Sequence, residues 1–506
     1  MPYAPALAPR LLAVVGLAAL LPLACAGDDA AGTDTEATSD ATATSGSTGD
    51  ATATTSGTSS TTDDTEATSA STTTASSDTA TTATTDTTTS GTTAAETDTD
   101  TDTTGMMGGP PEVLLPKQGL EAAELAVIVN TDDPLSTAIA DYYMEARGIP
   151  QENRVELSFP TDKVLSPDLF APLRDQVNAA LGPDIQAIAL TWTTPYRVGC
   201  MSITSAFAFG FDMKYCSTPC NPTSPSELYN SDTAYPFTDL GVRPVMTIAA
   251  TTEEAAKALI DRGVAADGTF PSGDGYLVRT TDQARSVRWP DFITTVEAWD
   301  HDGGLALSYV DNSEGMGSNV VADTADVLFY FTGLANVGQL DTNTYLPGAV
   351  TDHLTSYGGQ IPDSGQMSVI KWLEAGATAS YGTVVEPCNY PQKFPHTGVL
   401  LPYYFRGQTI IEAYWKSVAW PGEGIFVGEP LASPWGESQV GWDPETMELT
   451  ITTTMLDPAK TYQLSAGDSA DGPWTPVLEG IAIAEHMQTE IVYGPTEAPF
   501  YRLEAL

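Results

Sequence analysis

Apolar and polar positions from residue 112 onward follow the pattern of buried strands that alternate with amphipathic helices. The run LAVIVN at 125–130 is apolar enough for a strand buried on both faces, and the segment after it has helical spacing that ends at Gly148. Further strands and helices follow in the same alternation. This succession predicts an α/β domain at residues 112–436, with a mostly parallel sheet and helices on both of its faces.

Beyond Trp435 the pattern changes to short alternating segments, among them MELTITTT, TYQLSAG and TEIVYG. Gly, Asp and Pro separate these segments, and none of them has helical spacing. Strict alternation is typical of strands that bury one face. The pattern predicts a small β-sandwich-like module at residues 437–506.

Residues 26–111 offer almost no apolar side chains that a core could bury. They consist mainly of Thr, Ser, Ala, Asp and Gly, and the repeat TDTDTDTT occurs near their end. A segment of this composition cannot offset the conformational entropy that folding removes. We therefore expect residues 26–111 to be a disordered tether.

Residues 1–25 have the composition of an export signal. Arg10 precedes the apolar run LLAVVGLAALLPL, which is too short to span a bilayer. The run leads into Leu-Ala-Cys, and this favours lipidation of Cys25 and a lipid anchor in a membrane. Cleavage after Ala26 without lipidation is the alternative. The signal predicts an exported protein, either a lipoprotein of the outer membrane or cell surface or a secreted protein.

The chain is strongly acidic, with a formal net charge of −46 at pH 7. Residues 26–111 hold 15 Asp or Glu and no Lys or Arg, and residues 112–506 hold 51 acidic and 19 basic residues. A nucleic-acid-binding surface needs an excess of cations because it faces phosphates, so we do not expect a nucleic-acid partner. No Asp-x-Asp-x-Asp-Gly calcium loop occurs in the sequence, and we expect neither a metal nor a cofactor.

Four cysteines follow Cys25 in the sequence, namely Cys200, Cys216, Cys220 and Cys388. An even number in an exported protein predicts that all four form disulfides. The short spacing of Cys216 and Cys220 favours a local bridge, which would leave Cys200 to pair with Cys388. A Cys-x3-Cys zinc half-site is the alternative, but no second pair of ligands lies near it in the sequence.

Ligands of parallel α/β sheets bind beyond the carboxyl ends of the strands, so polar residues there are candidates for chemistry. The stretch PGAVTDHLTSYGG ends a predicted strand with His353 and Ser356. They could act as base and nucleophile if the chain turns between them. Glu386, after the next predicted strand, could act as an acid or a base. The alternative is a buried, hydrogen-bonded histidine beside a serine that closes a turn.

Four other polar residues at predicted strand ends are candidates for substrate binding: Asp132, Arg197, Thr332 and Tyr381. Arg197 is the basic residue among them, and its guanidinium could bind a substrate carboxylate through two parallel hydrogen bonds. The alternative for Arg197 is a structural ion pair with Asp132, Asp133 or Glu386.

Residues 115–435 resemble an uncharacterised bacterial family associated with exosortase-type protein sorting. The matching segments run in order through the domain: LAVIVNTDDPLSTAIADYYMEARGIPQENRVEL, PYRV, PGAVTDHLTSYGG, LEAGATASYGTVVEP and FVGEPLASPW. That family has no established activity. The resemblance implies a cell-surface or secreted setting, in agreement with the export signal.

The order of FYFTGL, PGAVTDHLTSYGG, GATASYGT and FVGEPL is similar to that of corresponding pieces in gingipain and caspase-like peptidases. In those peptidases one strand ends in His-Gly and the next in the nucleophilic Cys. Here Thr332 and Gly333 stand in place of His-Gly, and no Cys lies near Thr355 and Ser356. The resemblance implies a caspase/gingipain-like fold that lacks the Cys/His dyad.

These observations favour a non-catalytic role in binding or surface assembly for an exported protein. A peptide, a glycan or another surface protein would be the partner, and a lipid anchor would hold the protein at a membrane. The alternative is a peptidase-like hydrolase that uses His353 and Ser356.

Overall fold

The computed structural model describes residues 109–216, 220–299 and 304–506. The expected signal peptide, the lipidation site Cys25 and nearly all of the expected tether lie outside the described residues, so these assignments remain predictions. None of the described helices is long and apolar enough to cross a membrane.

The described secondary structure agrees with the predicted alternation of strands and helices. The strands are β1 Glu112–Leu114, β2 Leu125–Asn130, β3 Arg154–Leu157, β4 Val164–Leu165, β5 Ala187–Leu190, β6 Arg197–Val198, β7 Met201–Ser202, β8 Val245–Thr247, β9 Asp274–Arg279, β10 Ala306–Asp311, β11 Val327–Gly333, β12 Tyr345–Leu354, β13 Ala379–Thr383, β14 Gly424–Gly428, β15 Gln439–Asp443, β16 Glu448–Thr453, β17 Tyr462–Gly467, β18 Trp474–Ile481, β19 Thr489–Tyr493 and β20 Phe500–Ala505. The α-helices are α1 Pro134–Arg147, α2 Pro167–Ala180, α3 Ile203–Phe209, α4 Pro236–Leu240, α5 Glu253–Val264, α6 Trp289–Glu297, α7 Ile370–Ala375, α8 Thr397–Phe405 and α9 Ile410–Ser417.

Ten strands form the central sheet, in the order β10-β9-β11-β12-β13-β14-β8-β5-β2-β3. Neighbouring strands are parallel except β13 and β14, which are antiparallel. The sheet therefore has two parallel halves that point in opposite directions, half A (β9 to β13) and half B (β2, β3, β5, β8 and β14). The predicted α/β class with a mostly parallel sheet is confirmed.

Both faces of this sheet are covered. Every residue of β2, β11, β13 and β14 is buried, and a strand whose side chains alternate between faces can be buried throughout only if both faces are packed. Helix α1 ends at Gly148 as predicted, and this glycine has φ 63°. At the start of the helix the Asp133 side chain accepts a hydrogen bond from Leu135 N.

The C-terminal residues form two smaller sheets around a separate apolar core. One sheet has the order β15-β16-β19 and the other β1-β20-β17-β18. Leu449, Ile451 and Leu464 lie in their shared core. Strand β1 lies at the start of the range predicted for the α/β domain but pairs in parallel with β20 of the β module. The segment that enters the α/β domain is thereby attached to the β module.

Two disulfides join the four predicted cysteines, but their pairing differs from the expected one. Cys200 is bonded to Cys216, and Cys220 is bonded to Cys388. The chain after Gly199 folds back, so that an added Cβ on Gly199 would lie 2.8 Å from the Phe211 ring. This return brings Cys216 to Cys200 and leaves Cys220 for Cys388. The expected Cys216–Cys220 bridge was wrong because tertiary contacts outweigh short spacing in the sequence.

Candidate functional site

The predicted site residues do not meet at one edge of the sheet. Asp132 follows β2 of half B, whereas Ser356 and Glu386 follow β12 and β13 of half A. Because the two halves point in opposite directions, their carboxyl ends lie at opposite edges. Arg197 belongs to β6, in a separate three-stranded sheet with β4 and β7. The strand ends of half A are therefore the candidate site.

His353 is completely buried near the end of β12, and both of its ring nitrogens have partners. Trp372 Nε1 donates a hydrogen bond to His353 Nδ1 at 2.9 Å, so the ring proton lies on Nε2, which donates to the Met367 carbonyl at 3.1 Å. Burial lowers the pKa of His353 to about 4. A histidine held in this way has no free lone pair with which to accept a proton from a nucleophile.

Ser356 lies in the turn after β12 and forms no hydrogen bond with His353 in the described structure. Its carbonyl accepts a hydrogen bond from Thr383 Oγ1 at 3.0 Å. The turn continues through Gly359, where an added Cβ would lie 2.4 Å from the Gly382 carbonyl oxygen. Because the two backbones come this close, only glycine fits at position 359 without a shift of the chain. The geometry agrees with the alternative of a buried histidine beside a serine that closes a turn.

Three further candidates also lack the exposure or geometry expected of them. Thr332 and Tyr381 are completely buried, so neither side chain can touch a substrate in this structure. The Tyr381 hydroxyl donates to the Lys393 carbonyl at 2.6 Å, which is a core contact. Glu386 is half-buried, and its Oε1 accepts a hydrogen bond from the backbone N–H of Cys388 at 2.9 Å.

The two candidates outside half A, Asp132 and Arg197, form no ion pair or hydrogen bond with one another in the described residues. The Asp132 carboxylate is exposed and accepts a hydrogen bond from Ser158 Oγ at 3.0 Å. Arg197 is half-buried and forms no ion pair with any described residue, so the expected partnership with Asp132, Asp133 or Glu386 is not formed.

The polar network that does reach the surface at the strand ends of half A centres on Arg285. Its Nη1 donates to Asp282 at 2.8 Å, and its Nε donates to Thr355 Oγ1 at 3.2 Å. The Thr355 hydroxyl in turn donates to Gln366. Arg285 and Asp282 were not among the predicted site residues, although both lie in DQARS, shortly after the end of strand β9. The network can hold a polar ligand, but it contains no nucleophile paired with a base.

Beneath this network lies a buried ion pair between Asp352 of β12 and Arg288, which directly precedes α6. Arg288 also donates to the Thr332 carbonyl at 2.8 Å and to the Pro395 carbonyl at 3.2 Å. Burial raises the pKa of Asp352 to about 6, although the nearby Arg288 opposes the rise. These contacts attach the start of α6 to β11 and β12, so the role of the pair is structural. Nothing in the sequence spacing marked these two residues as partners.

No group of three or more His, Cys, Asp or Glu side chains suited to a metal ion occurs in the described ranges. All four cysteines there are in disulfides, so none offers a thiolate.

Comparisons with known proteins give only distant likenesses. No protein-family model matches the chain, and no curated protein matches it. Solved structures that are similar to it include a chain described as "Structure of Protease" (10% identity, TM-score 0.39, covering 76% of this chain and 97% of that one), the crystal structure of the Arg-specific cysteine proteinase gingipain R (11%, 0.33, 77% and 99%) and the complex of Porphyromonas gingivalis RgpB pro- and mature domains (10%, 0.29, 76% and 99%).

The weak similarity to gingipains expected from the sequence is thus found again, whereas the exosortase-associated family is matched by no family model. With identities near 10% and TM-scores below 0.5, these likenesses carry no argument about activity. Function has to be inferred from the side chains themselves.

Proposed function

We propose that the protein is an exported, lipid-anchored binding protein of the outer membrane or cell surface, which does not catalyse a reaction through His353 and Ser356. The observation that carries the proposal is the pair of hydrogen bonds that occupy both nitrogens of the buried His353 ring. Nucleophilic catalysis by serine requires a base that can accept the hydroxyl proton. His353 would have to lose its contacts with Trp372 and Met367 before it could serve.

The cysteines support the same proposal. A thiol peptidase needs a free, activated thiolate, and every described cysteine is in a disulfide. The acidity of the chain argues against a nucleic-acid partner. A peptide, a glycan or another surface protein remains as the class of partner, and the export signal with Cys25 would bring the protein to the same compartment.

Labelling of the purified full-length protein with a fluorophosphonate serine probe and with a thiol-reactive electrophile tests the proposal. We expect no site-specific label from either probe on protein that is shown to be folded by circular dichroism. Label that is present on the wild type and absent from Ser356→Ala would instead establish an activated serine. That result would replace the binding role with the hydrolase alternative.

A further inference from the structure

A pocket of about 210 Å³ is lined by residues of α2, α3, α4 and β5 and by the chain just before β8. Two arginines face it, Arg174 of α2 and Arg243, which precedes β8. Its other lining residues are Asn178, Ile188, Phe207, Ala208, Phe237 and Gly241. No described carboxylate lines the pocket. In a chain with a net charge of −46, these two cations form a local excess of positive charge.

Neither arginine forms an ion pair with a described residue. Arg174 donates from Nε to the Phe207 carbonyl at 3.1 Å and from Nη2 to the Ala208 carbonyl at 3.4 Å. Arg243 donates from Nε and Nη2 to two backbone carbonyls between α2 and β5, at 2.8 and 2.9 Å. The neutral carbonyls hold each guanidinium in place but do not cancel its charge.

The Nη1 group of each arginine remains available to a ligand. Neither Nη1 forms a hydrogen bond with a described residue, and neither atom is closed off from solvent. The Arg243 side chain is nevertheless held firmly, because the residue is only 7% exposed and its guanidinium carbon lies 3.2 Å from the centroid of the Phe237 ring. The pocket thus presents N–H donors of two oriented guanidinium groups.

The pKa values of the two arginines show that their charges are not compensated. Burial, and after it the nearby charge of Arg174, lower the pKa of Arg243 to about 10. Burial also lowers the pKa of Arg174, although the neighbouring carboxylate of Asp175 opposes this effect. An anion bound between the two guanidinium groups would favour the charged form of both.

We infer that this pocket binds a phosphate group. A phosphate monoester carries about −1.5 to −2 charges at pH 7 and offers three strong acceptor oxygens. It therefore matches two guanidinium groups better than a singly charged carboxylate does. The pocket has the volume of about seven water molecules at about 30 Å³ each, which is enough for one phosphate with a short stem but not for an oligosaccharide.

The inference goes beyond the proposed function and does not depend on it. The strand ends of half A contribute none of the residues that line this pocket. Inorganic phosphate and a phosphate monoester share the chemistry that the two arginines recognise, and the experiment below separates these two sources.

Isothermal titration calorimetry of the full-length protein with inorganic phosphate at pH 7.5 tests the inference. The ionic strength is kept constant with sodium chloride, so that screening of surface charges does not change during the titration. We expect one saturable site with a Kd of about 1 mM or below. Absence of saturable binding up to about 10 mM phosphate would overturn the inference.

Variants of the two arginines locate the site. Arg174→Gln and Arg243→Gln each remove one guanidinium group, and we expect each to weaken phosphate binding at least about tenfold. Arg174→Lys keeps the charge but loses the planar fork, so it should have an intermediate effect. Arg174 is half-buried on a helix, so its variants should fold. They decide the question even if Arg243→Gln, which alters a buried residue, does not fold.

The matched control is Arg154→Gln, which removes an arginine that is already paired with Asp141 and Glu156. We expect it to bind phosphate as the wild type does. Unchanged phosphate binding in both Arg174 variants, or an equal loss in Arg154→Gln, would overturn the assignment of the site to this pocket.

Glycerol 3-phosphate and acetate serve as the comparison ligands. Tighter binding of glycerol 3-phosphate than of inorganic phosphate would identify an esterified phosphate as the ligand, and weaker binding would identify the free ion. Both results support the inference. Acetate that binds as tightly as phosphate would indicate a carboxylate site and overturn it. A protein that binds no phosphate but remains unlabelled by the serine and thiol probes keeps its proposed function and loses only this site.

Discussion

His353 illustrates how the environment of a single residue decides its chemistry. The sequence placed it at a strand end beside a serine, and this placement is common to bases and to buried core histidines. Its partners Trp372 and Met367 come from the segment after the turn, and no local pattern predicted that this segment would return to cover the ring. The position of His353 near a strand end was therefore predictable from the sequence, but its protonation state was not.

Burial of His353 predicts a loss of stability in acid. Its folded pKa is depressed to about 4, below the unfolded value of about 6.5. The stabilising contribution is therefore present above pH 6.5 and is lost as the pH falls toward 4. By linkage, the free energy of unfolding should fall by about 2 kcal/mol between pH 7 and pH 5 through this residue alone.

Urea unfolding of wild type and His353→Gln at both pH values measures this contribution. The neighbouring Asp352 has a raised pKa and acts in the opposite sense, but it is present in both proteins and cancels in the comparison. The variant should lose less stability on acidification than the wild type. Equal losses would show that His353 is not held neutral by burial. Ser356→Ala, which removes no titrating group, should behave as the wild type.

At the scale of elements, periodicity predicted most of the fold and missed particular helices. Helix α1 was predicted from its helical spacing and from Gly148 at its end. Helix α3 was overlooked because six of its seven residues are buried, so it lacks a polar face that would reveal helical spacing. The antiparallel pairing of β13 with β14 could not be predicted either, because the apolar pattern of a fully buried strand does not depend on the direction in which the strand runs. That pairing separated the predicted site residues between two edges.

The turn after β12 provides a test of this packing. Gly359→Ala would place a Cβ 2.4 Å from the Gly382 carbonyl oxygen, and the backbones would have to separate. We expect a loss of about 1–3 kcal/mol in the free energy of unfolding, measured by urea denaturation. The control is Gly365→Ala, because a Cβ there has no heavy atom within 4 Å. Equal stability of the two variants would contradict the described turn.

At the scale of the whole molecule, composition predicts which segments can bury an apolar core and which, like residues 26–111, cannot. The ranges predicted for the α/β domain and the β module lie within the described residues 109–506, apart from 217–219 and 300–303. What composition could not predict is their connection. Strand β1 pairs with β20 and completes a sheet of the β module. The two strands are almost 400 positions apart in the chain, so no local pattern could predict this pairing.

The anchor predicted at Cys25 is testable on the intact chain. Cys25→Ser removes the thiol that would carry the lipid, and we expect the protein to leave the membrane fraction and to lose incorporation of labelled palmitate. The measurement is cell fractionation with metabolic labelling. A wild-type protein that incorporates no palmitate and is found outside the membrane fraction would instead favour cleavage after Ala26 and an unlipidated, secreted protein. Unchanged membrane association and unchanged label in the variant would contradict Cys25 as the site of lipidation.

His353 is a buried core residue whose two ring nitrogens are both hydrogen-bonded, and it is not a catalytic base. Nuclear magnetic resonance of ¹⁵N-histidine-labelled full-length protein tests this claim most directly. The chain has four histidines, and His353→Gln identifies the signal of interest by its loss. We predict a ring protonated at Nε2 only, with no titration between pH 8 and about pH 5. A His353 signal that titrates near its ordinary pKa of about 6.5 would contradict the account and reopen the hydrolase alternative.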